Sequence, residues 1–348
     1  MIRSGKAVHR LRWLWPVVLA LALVVLPACG GPPEGEPVRF TVPQGSGLIA
    51  VADTLANRDI IRWPRVFRAY ARFQGPGGSI KPGTYEMQRG TPWPEILNRL
   101  VAGDVVTVSI VIPEGWTAVQ IAHRLADATG ASADSLVQEL LSEELAQQME
   151  VPGPNLEGYL YPATYVFPAG VLPRQAVGAM VRRYKQAWTP ELRARADSMG
   201  FDEREIVTLA SIVEKEARRW TERDTIAAVF LNRLRINMPL QADPTVQYAL
   251  GAHQTRLLYA HIDEVADHPY NTYRRRGLPP GPIASPSQAA IVATLNPADV
   301  DYLYFVARPD GSHIFTRSLA EHNRARVQVR RQLDAAGQPD AARQPDGR

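Results

Sequence analysis

Leu209-Ala-Ser-Ile-Val-Glu-Lys-Glu216 sets apolar residues at helical spacing and ends the row on a carboxylate. Leu209, Ile212, Val213 and Glu216 follow the i, i+3, i+4, i+7 rule that lines one side of a helix, so Glu216 points where apolar side chains point. A carboxyl held among apolar groups resists ionisation and can still donate a proton near neutral pH, which a general acid requires. Glu214 lies about 200° around the same helix, with Val207, Ala210 and Ser211 on a weaker face, and is the second choice. The competing reading makes Glu216 a rim carboxylate paired with Arg218, Arg219 or Arg233.

Asp202-x-x-Glu205 reads as a capping box that starts this helix, and Thr221-x-x-Asp224 as the start of the next. In that second helix Ile226, Val229, Phe230 and Arg233 share a face, so Arg233 also points inward. Asp243-Pro244-Thr245 has the form of an N-cap followed by proline at the first helical position, with Gly251 closing the helix. Tyr270-Asn-Thr-Tyr273 leads into Gly277-Leu-Pro-Pro-Gly-Pro-Ile283, whose prolines stiffen a loop suited to a cleft wall. Ser285-Pro286-x-Gln288 opens another helix, Tyr302–Ala307 and His313–Thr316 form a hairpin, and Ser318-x-x-Glu321 caps a last helix.

The chain has 348 residues, enough for two domains. Arg3, Lys6, Arg10 and Arg12 precede sixteen apolar residues, Trp13 to Ala28, the form of an export signal or membrane anchor (residues 1–29). Cys29, the single cysteine, follows as in a lipoprotein box, where it would be lipidated; disulfides and thiol nucleophiles are thereby excluded. Those four basic residues equal the whole net charge of +4, so the remainder is neutral and nucleic-acid binding is rejected. The seven histidines match no zinc spacing, and no nucleotide or serine-hydrolase motif occurs. The expectation is therefore no metal and no cofactor.

Residues 30–37 read as a linker. Val42-Pro-Gln-Gly45 with Val51-Ala52 and Leu55-Ala56 recurs seventy residues later as Ile112-Pro-Glu-Gly115 with Ile121-Ala122 and Leu125-Ala126, each a strand turning into an amphipathic helix. A second helix after Trp63-Pro64, with Val66, Phe67 and Tyr70 on one face, and a strand at Pro82–Met87 complete a βααβ order over 38–103 that resembles a glycan-binding LysM-like module. Residues 104–150 hold the second repeat and connecting helices, 151–335 a mixed α/β catalytic domain, and 336–348 a disordered tail. The predicted class is α+β. The aromatic segment Leu156–Tyr165 offers either core plugs or platforms for sugar rings.

A carboxylate acid, aromatic and amide groups and a glycan-binding pattern point to glycosidic-bond cleavage. Ordinary glycosidases need two carboxylates about 5 to 9 Å apart. Glu157 and Asp243 are the candidate partners for Glu216.

Ala210-Ser-Ile-Val-Glu-Lys-Glu216, Val229-Phe-Leu-Asn-Arg-Leu-Arg235, Leu240-Gln-Ala-Asp-Pro-Thr-Val246, Tyr270–Tyr273, Gly277–Ile283 and Tyr302-Leu-Tyr-Phe-Val306 resemble, in this order, the endolytic murein transglycosylases of the YceG-like family. The likeness runs from Val38 to Ala335. The resemblance implies that Glu216 is catalytic and that the reaction is lytic, closing the N-acetylmuramic acid 6-hydroxyl onto C1 to leave a 1,6-anhydromuramyl end. It implies a peptidoglycan partner, a membrane-held protein acting outside the cytoplasm, and a place beside peptidoglycan synthases, trimming nascent strands. Asn232, Gln241, Asn271, Thr245 and Tyr273 are the expected sugar contacts, with Glu157 or Arg233 for positioning. A water-using muramidase and a non-catalytic glycan-binding scaffold are the alternatives.

Overall fold

The computed structural model describes residues 34–75, 80–252, 254–255 and 257–335. The export segment, Cys29 and the tail after Ala335 lie outside the described residues. Among the described residues no helix is long and apolar enough to cross a membrane. The chain forms two compact units, one ending at Val108 but including Val166–Val171, the other made of Ser109–Tyr165 and Leu172 onward. The segment 104–150 therefore falls, from Ser109, with the second unit.

In the first unit β1 (Glu34–Val42), α1 (Leu48–Asn57), α2 (Pro64–Phe73), β2 (Gly83–Arg89) and α3 (Trp93–Ala102) follow in order. The two strands pair antiparallel, Phe40 opposite Tyr85 and Val42 opposite Gly83. The expected linker is thus shorter, since its last four residues, Glu34–Pro37, are strand. The βααβ order stands, closed by a third helix absent from the sequence reading, whose Ile96, Leu97 and Leu100 join Phe40, Leu55, Phe67 and Met87 in one core. Tyr85 buries its ring there and donates its hydroxyl to the carbonyls of Lys81 and Leu100 at 2.7 and 3.2 Å. On α2 Phe67 is buried, whereas Val66 faces solvent.

The repeat is real at the level of elements. In both copies a glycine with left-handed backbone, Gly45 (φ 80°) and Gly115 (φ 70°), turns the strand toward a helix. The helices bury equivalent faces: Leu48, Val51, Ala52 and Leu55 on α1, and Ala118, Ile121, Ala122 and Leu125 on α4 (Ala118–Thr129). The copies differ at the start, where Thr117 and Gln120 form a capping box on α4 and Gly47 gives α1 none. β3 (Thr107–Ile112) pairs with β4 (Ala163–Pro168).

The second unit continues with α5 (Ala133–Leu140), α6 (Glu143–Gln148), α7 (Pro173–Ala187), α8 (Pro190–Met199), α9 (Glu203–Glu216), α10 (Arg223–Arg235), α11 (Asp243–Leu250), α12 (Tyr259–Glu264) and α13 (Gln288–Leu295). An antiparallel hairpin, β5 (Tyr304–Ala307) and β6 (His313–Thr316), and α14 (Leu319–Ala335) complete it. α9 is the centre: Asp202 and Glu205 form its capping box, and every residue from Ile206 to Val213 is buried. The supposed weaker face with Val207, Ala210 and Ser211 is therefore as deeply buried as the other, and both α10 and α13 pack against this helix. Two helix starts differ from expectation. Trp220–Glu222 forms a 3₁₀ turn that consumes Thr221, so α10 begins at Arg223 without a side-chain cap. α11 begins at Asp243 itself, with Ala242 in the N-cap position. Asp243 is thus the first helical residue rather than the cap.

Candidate active site

Glu216 is the last residue of α9, where the unpaired carbonyls of the helix end present partial negative charge. Its side chain is half-buried and accepts no hydrogen bond among the described residues. Burial, then the Asp243 carboxylate, push its pKa up to about 8, against the opposing pull of the Arg233 and Arg218 guanidiniums. Such a carboxyl keeps its proton at neutral pH and holds it where no protein group takes it.

Asp243 stands at the first turn of α11, and its Oδ1 accepts the Tyr273 hydroxyl at 2.5 Å. Burial and the charges of Asp243 and Glu216 raise the Tyr273 phenol well above its ordinary value, so it remains a donor. Arg233 reaches the cluster from α10, nearly buried. Its Nε donates to Leu303 O at 2.6 Å and its Nη1 to Leu240 O at 2.6 Å, while the guanidinium lies 5.2 Å over the Tyr304 ring. Arg233 therefore ties the start of the 240–243 turn to β5 and leaves positive charge acting on Glu216. Gln241 adopts left-handed backbone (φ 48°), which costs a residue with a Cβ about 1 kcal/mol. Its amide N–H donates to Thr272 O at 3.1 Å, and its side chain is half-buried with no partner among the described residues. Glu216, Asp243, Tyr273 and Arg233 are thus brought together, with Gln241 two residues before Asp243.

Three expected sugar contacts are engaged elsewhere. Asn232 donates to Val300 O and Tyr302 O at 2.8 and 3.1 Å and accepts from Arg235. Thr245 and Thr272 share a buried hydroxyl contact of 2.8 Å under the 242 turn. Asn271, fully buried, donates to Ile262 O and Val265 O and accepts from the Tyr273 N–H. Each of these side chains satisfies backbone that burial would otherwise leave unpaired.

The remaining carboxylates also differ. Glu214 pairs with Arg223 at 2.9 Å and accepts the N–H and hydroxyl of Ser287, the N-cap of α13. It joins three helices. Glu157 is buried and places both oxygens, at 2.9 and 3.1 Å, on the N–H of Ala118, the first residue of α4. Desolvation pushes its pKa up to about 8 despite bonds from Ala118, Gly158 and the Tyr248 hydroxyl. Tyr248 was not foreseen from sequence; its spacing on α11 carries no signal of a partner ninety-one residues earlier. The proline loop packs against α9: Ile283 N donates to Ser211 Oγ at 3.0 Å, and Pro282 covers Gly158 so closely that a Cβ there would sit 2.4 Å from its ring. In the aromatic segment Tyr159 is a core plug against Tyr184, not a sugar platform. Among the described residues no group of three histidine, cysteine or acidic side chains is placed to hold a metal ion.

Residues 40–328 match the model of the YceG-like family. The endolytic murein transglycosylase of Bacillus subtilis (strain 168) is 35% identical over 309 residues, covering 83% of this chain and 84% of that protein. The protein of the same name from Streptococcus pneumoniae serotype 2 (strain D39) is 30% identical over 317 residues, covering 82% of this chain and 57% of the longer relative. A crystal structure of a YceG-like protein from Listeria monocytogenes superposes with a TM-score of 0.58 at 32% identity, over 84% of this chain and 100% of that one. Both the matched span and the degree of identity make the conclusion plain: this chain belongs to the YceG-like family.

Proposed function

We propose that the protein is an endolytic peptidoglycan lytic transglycosylase, a carbon–oxygen lyase with Glu216 as its single acid and base. The observation that carries this reading is the Glu216 carboxyl, whose pKa is pushed up to about 8 so that it is neutral at pH 7, and which accepts no hydrogen bond among the described residues. In the first step Glu216 gives its proton to the oxygen bridging N-acetylmuramic acid to N-acetylglucosamine, and the C1–oxygen bond breaks. In the second the muramyl 6-hydroxyl oxygen bonds to C1 and its proton returns to Glu216. No water is consumed, and the product is a 1,6-anhydromuramyl end. An internal hydroxyl acts at high effective molarity, so neither a second carboxylate nor a bound water is needed. Arg233 lies in the same cluster to offset charge that grows on Glu216 as the leaving oxygen departs. The Gln241 amide and the Tyr273 hydroxyl are the polar groups available to substrate.

The hydrolytic alternative has one observation in its favour, the Asp243 carboxylate close enough for its charge to act on Glu216. That carboxylate already accepts the Tyr273 hydroxyl, which weakens it as a base. The βααβ unit serves in this reading as a LysM-like glycan holder. The apolar run 13–28 or a lipid on Cys29 fixes the protein in the envelope, beside the synthases whose nascent strands it trims.

Long uncrosslinked glycan strands incubated with the protein test the proposal. Mid-strand cutting shortens the mean length before any disaccharide is released, and Glu216→Gln abolishes cutting while strands still bind. Release of disaccharides from the ends first, or turnover by the Glu216→Gln variant, overturns it.

A further inference from the structure

One surface of the first unit has no part in the chemistry above. Residues 58–73 contain five arginines, Arg58, Arg62, Arg65, Arg68 and Arg72, against one acid, Asp59. None of the five forms an ion pair among the described residues. On α2 the core face is Phe67 and Ala71. Turning 100° per residue, the opposite face carries Arg65 and Arg72 along one edge, Ala69 in the middle, and Val66 and Phe73 along the other. Phe73 is 88% exposed, and Trp63, which opens the helix, is 50% exposed. Rings and arginines interleaved on the outer side of a packed helix are the composition of a segment that lies in a lipid headgroup layer.

We propose that the outer face of α2, with the Arg58–Trp63 turn before it, seats on an anionic bilayer surface and sets the first unit flat against the membrane. Charge complementarity favours an anionic surface, and the exposed rings favour lipid over an acidic wall polymer, which gives no apolar environment in return. Connectivity also favours it. β1 starts five residues after Cys29, a span of at most about 17 Å when extended. The start of β1 is beside this surface: Glu34 pairs with Arg89, whose guanidinium reaches Asp59, next to Arg58, at 3.6 Å. Any anchor in residues 13–29 therefore delivers the Arg58–Trp63 turn to the headgroup region. This inference rests on the anchored reading given above, not on the chemistry at Glu216.

The test uses the full chain in phosphatidylcholine vesicles containing phosphatidylglycerol and a photoactivatable lipid tracer reactive near the headgroups, with adducts mapped by peptide mass spectrometry. Adducts are expected on Arg62–Phe73 and within 13–28. The triple change Arg65→Glu, Arg68→Glu, Arg72→Glu lowers those on α2 by roughly tenfold and leaves those on 13–28 unchanged. Trp63→Ala with Phe73→Ala lowers them without altering charge, and neither variant touches Phe67 or Ala71, so both fold. Adducts on 13–28 alone overturn the inference while sparing the anchor; adducts on neither overturn both. Adducts on α2 that ignore the charge reversal overturn the argument from complementarity.

Discussion

Replacing Glu216 by glutamine should stabilise the protein at neutral and alkaline pH while removing its activity. In the unfolded chain this carboxyl loses its proton near 4.5; in the folded chain it does so near 8. Between those values the folded state binds more protons, so stability falls as pH rises, beginning at 4.5 and complete above 8. At about 1.4 kcal/mol per pH unit the gap sets a ceiling of about 5 kcal/mol, and partial solvent contact at a half-buried carboxyl reduces the expectation to about 2 to 3 kcal/mol. Glutamine keeps the shape and cannot ionise, so the variant escapes this cost. Glu157 titrates over the same range but is present in both proteins and cancels in the difference. Urea unfolding followed by circular dichroism at half-unit steps from pH 4.5 to 8.5 reads it directly. The two proteins should be equally stable at the acid end and diverge progressively, with the variant ahead. Parallel curves would refute the reasoning, since they would mean that Glu216 ionises alike in the folded and unfolded chains.

Asp243→Asn removes the charge that raises Glu216, so the alkaline limb of the pH–rate profile should move to lower pH; an unmoved limb in the variant would separate Asp243 from the acid. Arg233→Met leaves the Leu240 and Leu303 carbonyls without their guanidinium donor in a buried site and should cost about 3 kcal/mol, read as a lower urea midpoint. Gly158→Ala must place a Cβ 2.4 Å from Pro282 on left-handed backbone (φ 83°), with an expected loss of about 2 to 4 kcal/mol and of most activity, because the displaced loop adjoins Glu157.

What the sequence revealed and what it withheld have distinct physical causes. Local rules located α9, since the Asp202–Glu205 capping box and the apolar spacing up to Glu216 depend only on residues within four positions of each other. The strand–glycine–helix repeat was equally readable, because Gly45 and Gly115 answer a local backbone demand. Helix starts failed where two signals competed: Thr221 was drawn into a 3₁₀ turn, and Asp243 became the first helical residue, its Oδ1 accepting the Tyr273 hydroxyl. The polar loop residues were the hardest. Asn232, Thr245 and Asn271 are of the types that bind sugars, but they are also the types that satisfy buried backbone, and only the fold reveals that Asn232 meets carbonyls sixty-eight and seventy residues away. Tyr248 was missed for the same reason, its partner Glu157 lying on a distant loop.

The most direct test of the central claim is digestion of purified peptidoglycan in water enriched in heavy oxygen, with the new glycan ends analysed by mass spectrometry. Lytic closure by the muramyl 6-hydroxyl under Glu216 predicts anhydromuramyl ends, lighter than reducing ends by one water and free of isotope. Reducing ends carrying one heavy oxygen each would show that water is the nucleophile, and would contradict the account.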